Sequence, residues 1–190
     1  MILYLHGFRS SPQSAKSQLL AQRMQALERS AEWQCPHLPA SPRAAIDMAQ
    51  KLMSGVVAEA ITVIGSSLGG YYATWLAEQT GCRAVLLNPA VKPPRDLEKY
   101  VGISTEYHSG APFAFKHEYI AELRALAVEQ ITRPERYFLI AATGDEVLDW
   151  REMAAHYPQA RQRIIDGSDH GISEFSEYAD EVLAFCGVRP

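Results

Sequence analysis

A serine set between two glycines, just after an apolar run, is the residue of this sequence whose surroundings best suit it to chemistry. In Val63-Ile64-Gly65-Ser66-Ser67-Leu68-Gly69-Gly70 two serines are adjacent, and only Ser67 has a glycine two residues away on each side. That spacing suits a nucleophile on a tight, strained turn, where neighbours without side chains relieve the crowding. The flanks agree: Ile61 to Gly65 reads as a buried strand and Leu68 to Gln79 as a helix. A serine hydroxyl is a weak nucleophile at neutral pH, so the turn is useful only if a base takes its proton during attack.

The sequence holds six histidines. With a chain order of serine, then acid, then histidine, His156 and His170 remain. His170 is the better placed, in the loop Gly167-Ser168-Asp169-His170-Gly171 after a strand, where parallel α/β sheets gather functional loops. His156 ends a short helix before Pro158, where a cation meets the helix's negative end and has a structural role. The acid should follow the preceding strand, and Asp145 lies nearest that strand's carboxyl end. Asp149 is the alternative, although its place before Trp150 and Arg151 suits a helix N-cap. Asp166 and Asp169 adjoin the histidine and fit turn or cap roles.

Attack on a carbonyl builds negative charge on its oxygen, and preset donors must meet it. The Leu68 amide opens a helix whose positive end faces the same place, and the Phe8 amide lies in the loop after the first strand. Gly7 lets that loop come close, and His6 orients it through hydrogen bonds. Because the base must begin neutral, activity should fall as pH drops through the range where histidine protonates, ~6.5 for the free side chain.

Positioning these residues requires alternating strands and helices. Apolar runs at Ile2 to Leu5, Ile61 to Gly65, Ala84 to Leu87, Tyr137 to Ala141 and Arg163 to Ile165 read as strands, with a weaker one at Trp33 to His37. Helical spacing falls at Ala15 to Glu28, Ala44 to Met53, Leu68 to Thr80, Ile120 to Val128, Arg151 to Ala155 and Glu174 to Phe185. The expected fold is α/β, a doubly wound sheet of about six parallel strands. Ser14 and Ser41 mark helix starts as caps, Pro42 suits a first helical position, and Gly81 and Gly187 suit helix ends. Residues 92–133, rich in Pro, Gly and unperiodic aromatics, read as an insertion within a single domain spanning 1–190.

Bulk properties narrow the function classes. The 190 residues are 47% hydrophobic and 21% charged with a net charge of −4 and no basic block, so neither nucleic acid nor an anionic membrane is an expected partner. No secretory signal or membrane span is read, and three distant cysteines fit a reduced, cytoplasmic setting.

Taken in order, Tyr4-Leu5-His6-Gly7-Phe8 with Ser10-Ser11-Pro12, Ile64 to Ala73, Leu87 to Val91, Thr143 to Asp149 and Ser168-Asp169-His170 resemble the α/β-hydrolase superfamily, and more closely its small bacterial YqiA-like esterases. The likeness spans nearly the whole chain. It implies a triad of Ser67, Asp145 and His170, cofactor-free hydrolysis of a small-molecule ester or thioester, and a sheet lacking the first two strands of larger relatives. It also implies that 92–133 forms a cap, whose Phe113, Phe115 and Tyr119 either line an acyl pocket or pack the insertion onto the body. Arg9, beside the oxyanion loop, either favours an anionic substrate or is simply exposed. Two rival functions share these residues: a retired hydrolase that only binds, and an acyltransferase or perhydrolase using an alcohol or peroxide in place of water.

Overall fold

Every residue of Ile2-Leu3-Tyr4-Leu5 is buried, because successive side chains point to opposite faces and both faces are covered. In the computed structural model, which describes residues 1–188, this is the first of eight strands. They are β1 (Ile2–Leu5), β2 (Trp33–Gln34), β3 (Thr62–Ser66), β4 (Arg83–Leu87), β5 (Gly102–Thr105), β6 (Pro112–Phe115), β7 (Tyr137–Ala142) and β8 (Arg161–Ile165). Helices α1 (Ala15–Ala26), α2 (Pro42–Met53), α3 (Leu68–Thr80), α4 (Pro93–Leu97), α5 (Glu118–Ala125), α6 (Trp150–His156) and α7 (Ala179–Phe185) connect or follow them.

Six strands form one parallel sheet in the order β2-β1-β3-β4-β7-β8. The chain steps outward from β1 to β2, returns past β1 to β3, and then moves steadily the other way. Right-handed crossovers therefore put α1 on one face and the helices of the later steps on the other. The two cores follow this division. Leu20 and Met24 of α1 and Val182 and Leu183 of α7 pack with Tyr4, Ile64 and Val85. Met53, Leu76, Leu123 and Met153, from α2, α3, α5 and α6, pack with Leu5, Val63 and Leu86 on the opposite face. The reversal of direction between β1 and β3 opens a crevice at their carboxyl ends, where doubly wound sheets bind ligands.

The expected doubly wound architecture is what the chain adopts, with local differences. β2 stops at Gln34 because Pro36 removes a backbone donor soon after it, ending ladder pairing. The single helix expected over Glu174 to Phe185 is a 3₁₀ turn at Phe175–Glu177 followed by α7. Within 92–133 lies an antiparallel hairpin of β5 and β6 between α4 and α5. Its strands gave no readable alternation because they are largely exposed, Ile103 to 86%. Ser41 caps α2 by accepting from the Ala44 amide, as expected, whereas the Ser14 side chain caps no amide of α1.

At the two margins of the sheet, β2 has only two residues, and β8 turns Arg161 and Arg163 outward to ion-pair with Glu181 of α7 at 2.8 and 3.1 Å. Among the described residues no helix is long and apolar enough to cross a membrane.

Candidate active site

Ser67 occupies the turn between β3 and α3 with φ 54° and ψ −119°, a left-handed conformation that is strained for a residue with a Cβ. The turn is held from three sides: the Ser67 amide donates to the Leu87 carbonyl at 3.0 Å, and the Ser67 carbonyl accepts from the amides of Gly70 at 2.9 Å and Ala90 at 3.0 Å. Close packing explains the glycines. A methyl on Gly65 would lie 2.2 Å from the Gly69 carbonyl oxygen, one on Gly69 would lie 1.9 Å from that of Leu5, and one on Gly70 would lie 2.5 Å from Pro89 Cβ. The backbones of β1, β3 and α3 meet too tightly for any side chain.

The loops after β7 and β8 bring Asp145 and His170 to this turn. His170 Nε2 is 3.0 Å from Ser67 Oγ, and its Nδ1 is 2.8 Å from Asp145 Oδ2. The other Asp145 oxygen accepts from the amides of Val147 at 2.8 Å and Leu148 at 2.9 Å. The Asp145 side chain is fully shielded from solvent, and that of His170 is 23% exposed. A carboxylate can only accept here, so it fixes the proton on Nδ1 and leaves the Nε2 lone pair for the serine hydroxyl.

Phe8 and Leu68 both line the cavity beside Ser67, and among the described residues neither amide donates to a protein acceptor. Gly7 lets their loop approach: a methyl there would lie 3.2 Å from Ser67 Cβ. His6 is 4% exposed, and burial lowers its pKa to about 4, so the ring is neutral. Its Nδ1 donates to the Gly7 carbonyl while Nε2 accepts from the Leu38 amide at 3.0 Å, which fixes the loop.

The competing residues are engaged elsewhere. Asp149 caps α6 by accepting from the Arg151 amide at 2.9 Å, Asp166 accepts from Thr143 Oγ1, and Asp169 accepts from the amide and hydroxyl of Ser173. His156 ends α6 against the Tyr157 ring, where burial lowers its pKa and favours the neutral form rather than the cation the helix end would attract. Arg9 donates to the Thr105 carbonyl at 2.6 Å and lies over the Tyr107 ring, so its charge ties down the hairpin.

The cavity has a volume of about 340 Å³. Phe115 is in the core, and Phe113 and Tyr119 pack against that core, so these three hold the 92–133 segment to the body. The aromatic lining of the cavity comes instead from Tyr4, Phe8, Tyr100 and Tyr107, alongside Pro93 and Leu97.

Two contributors were given no role from the sequence. Asn88, 1% exposed at the end of β4, accepts from the Ala142 amide at 2.8 Å and donates to the carbonyls of Asp169 at 3.0 Å and His170 at 3.1 Å. One side chain thus joins β7 to the histidine loop. Lys16 donates to the Gly171 carbonyl at 2.5 Å and lines the cavity. The signals for Asn88 were its place just past a strand and within the Leu87 to Val91 stretch; for Lys16 there was none.

Solved structures share this architecture at low identity. Alpha/beta hydrolase domain-containing protein 10 from mouse is 15% identical over 98% of this chain and 86% of its own, with a TM-score of 0.69. The esterase domain of a Rhodothermus marinus protein is 18% identical over 97% of this chain and 85% of its own, also with a TM-score of 0.69. Est1E from Butyrivibrio proteoclasticus, solved with ferulic acid bound, is 14% identical over 96% and 87%, with a TM-score of 0.65. Such likeness establishes the α/β-hydrolase fold that the motifs resembled. The model of an uncharacterised protein family, UPF0227, matches residues 1–187, and the chain belongs to that family.

Proposed function

We propose that this protein is a serine hydrolase that cleaves carboxylic esters or thioesters through an acyl-enzyme. The observation that carries the reading is the unbroken hydrogen-bond chain from Ser67 Oγ through His170 to the shielded Asp145 carboxylate. Ser67 attacks the carbonyl carbon while His170 Nε2 takes the hydroxyl proton. Asp145 holds the ring by Nδ1 and stabilises the imidazolium. The oxygen of the tetrahedral intermediate is met by the Phe8 and Leu68 amides, the latter at the positive end of α3. As the intermediate collapses, His170 returns the proton to the departing alcohol or thiol. Water then attacks the acyl-enzyme by the same route, with His170 again as base. Residues 92–133 act as a cap on a single domain, supplying Tyr100 and Tyr107 to the acyl environment.

A fluorophosphonate probe tests the first step, because it should add covalently to Ser67 in the wild type and not in Ser67→Ala. The same substitution should lower kcat by several orders of magnitude while the fold survives, leaving a residue of roughly 10³ to 10⁴ over water. An unlabelled wild-type serine, as a retired binding protein would have, overturns the reading. Analysis of products in the presence of alcohol or peroxide distinguishes hydrolysis from acyl transfer to those acceptors.

A further inference from the structure

The cavity beside Ser67 has two unlike walls. Phe8, Pro93, Leu97 and Tyr100 make one of them largely apolar, with Asp96 and Lys99 also on it. The other, built by β1, the end of β3, the start of α1 and the loop after His170, carries Tyr4, Ser14, Ser66 and Lys16. Tyr4 is wholly buried, yet among the described residues its hydroxyl has no hydrogen-bond partner, and the same is true of the buried Ser14 hydroxyl. Ser66 and Ser14 adjoin the Tyr4 hydroxyl without reaching bonding geometry. Burying a hydroxyl without a partner costs its desolvation, so two together call for an acceptor. Ser14 also stands at the N-cap of the 12-residue α1 and leaves the first-turn amides uncapped. Beside them is the Lys16 ammonium, with one N–H given to the Gly171 carbonyl and others left to donate.

We propose that this wall receives a carboxylate carried by the substrate, so that the ester or thioester cleaved at Ser67 is a monoester of a dicarboxylic acid, and Lys16 is its specificity-determining residue. The inference rests on the hydrolase reading above. Hydroxyl donors, one ammonium and a helix N-terminus suit a monoanion. Arg9, whose guanidinium fork would suit a phosphate, is committed to the hairpin. The acids nearby are bonded on the Lys16 side, Asp145 to His170, Val147 and Leu148 and Asp169 to Ser173. Asp96, on the opposite α4 wall, gives one oxygen to Arg95 at 2.7 Å and keeps the other buried and, among the described residues, without a partner, which favours seating the carboxylate at the Lys16 wall. Burial lowers the Lys16 pKa to about 8, with the Asp169 and Asp145 carboxylates that face it opposing the shift, so the side chain is cationic at neutral pH.

The test compares two esters on the full chain: the monomethyl ester of glutaric acid, and the methyl ester of the acid in which an isopropyl group replaces its free carboxylate. Wild type should favour the anionic ester in kcat/KM by about tenfold or more, the scale of a hydrogen bond to a charged group. Lys16→Met should bring that ratio close to one, Lys16→Arg should keep part of it, and Tyr4→Phe should lower it by a few fold. Raising the pH through 8 should erode the wild-type ratio as the ammonium loses its proton. Equal or better turnover of the neutral ester by wild type overturns the proposal. So does an equal loss on both esters in Lys16→Met, which would make Lys16 only a support for the Gly171 carbonyl. Should Lys16→Met fail to fold, Tyr4→Phe, which removes a single oxygen, decides by the same ratio. Labelling of Ser67 keeps the two readings apart: labelled enzyme without an anion preference overturns the carboxylate site alone, and unlabelled wild type overturns both.

Discussion

The two sides of the site are built by different means. On the nucleophile side, the turn from β3 into α3 is enforced by steric contact: three glycines within six residues let strands and helix touch, and Ser67 is left in the one conformation that fits. On the acid–base side steric contact is confined to the root of the loops, where a methyl on Gly144 would lie 2.3 Å from the Ser168 carbonyl oxygen. Asp145 and His170 come from separate loops and are held by hydrogen bonds donated by Asn88, Val147 and Leu148 and by the His170 amide's donation to Glu146. The first side is rigid because backbone cannot yield. The second has its loops joined backbone to backbone at Gly144, while the side chains of Asp145 and His170 beyond that point are set by hydrogen bonds. Under the mechanism proposed above, the fixed element would carry the attacking atom, and the hydrogen-bonded one the group that changes its proton count in every cycle.

Substitutions can break this contrast in graded ways. Asp145→Asn should be the most damaging to rate, with a fall in kcat of about 10⁴-fold in a folded protein, since the amide presents the wrong partner to Nδ1. Steady-state kinetics beside a circular dichroism spectrum would check it. Gly69→Ala should strike stability instead, at or above the upper end of the ~1–3 kcal/mol range for overpacking, because its methyl would meet the Leu5 carbonyl. Urea titration reads this directly, and a near-neutral result would mean that the crowding is not what sets the turn.

The oxyanion loop should respond to acid. His6 protonates in the unfolded chain near ~6.5 but in the fold only at about 4, so the unfolded state binds more protons between those values and stability is lost as pH falls through that window. The loss should reach ~2–3 kcal/mol between pH 7 and pH 4. It should be absent from His6→Gln when the two unfolding profiles are subtracted. Asn88→Ala should come last, at ~1–3 kcal/mol, because it strands the Ala142 amide. Its effect on kcat should exceed its effect on KM, since the part displaced is the base rather than the cavity wall. A change confined to KM would show that the histidine loop stands without it.

The same contrast explains what could be read from the sequence. The elbow was legible because its requirements are local: glycine spacing, an apolar run before it and helical spacing after it, so that α3 runs over the expected Leu68 to Thr80. The loops holding Asp145 and His170 were legible through strand order, because parallel sheets gather such loops at one edge. Asn88 and Lys16 were not, since their partners lie 81 and 155 residues away and no local pattern encodes such a pairing. The expected Ser14 cap failed for a related reason: residue type announces the capacity to cap a helix, while the cavity beside it decides where the hydroxyl goes. The hairpin escaped because periodicity reports burial, and its strands have little of it.

The margins of the sheet carry a last consequence. A two-residue strand at one side offers an incoming chain almost no ladder to copy. At the other, paired arginines locked to Glu181 set charge along the open backbone groups. Both ends resist templated strand addition, so β-sheet extension into fibrils is disfavoured at either rim even when the protein is concentrated.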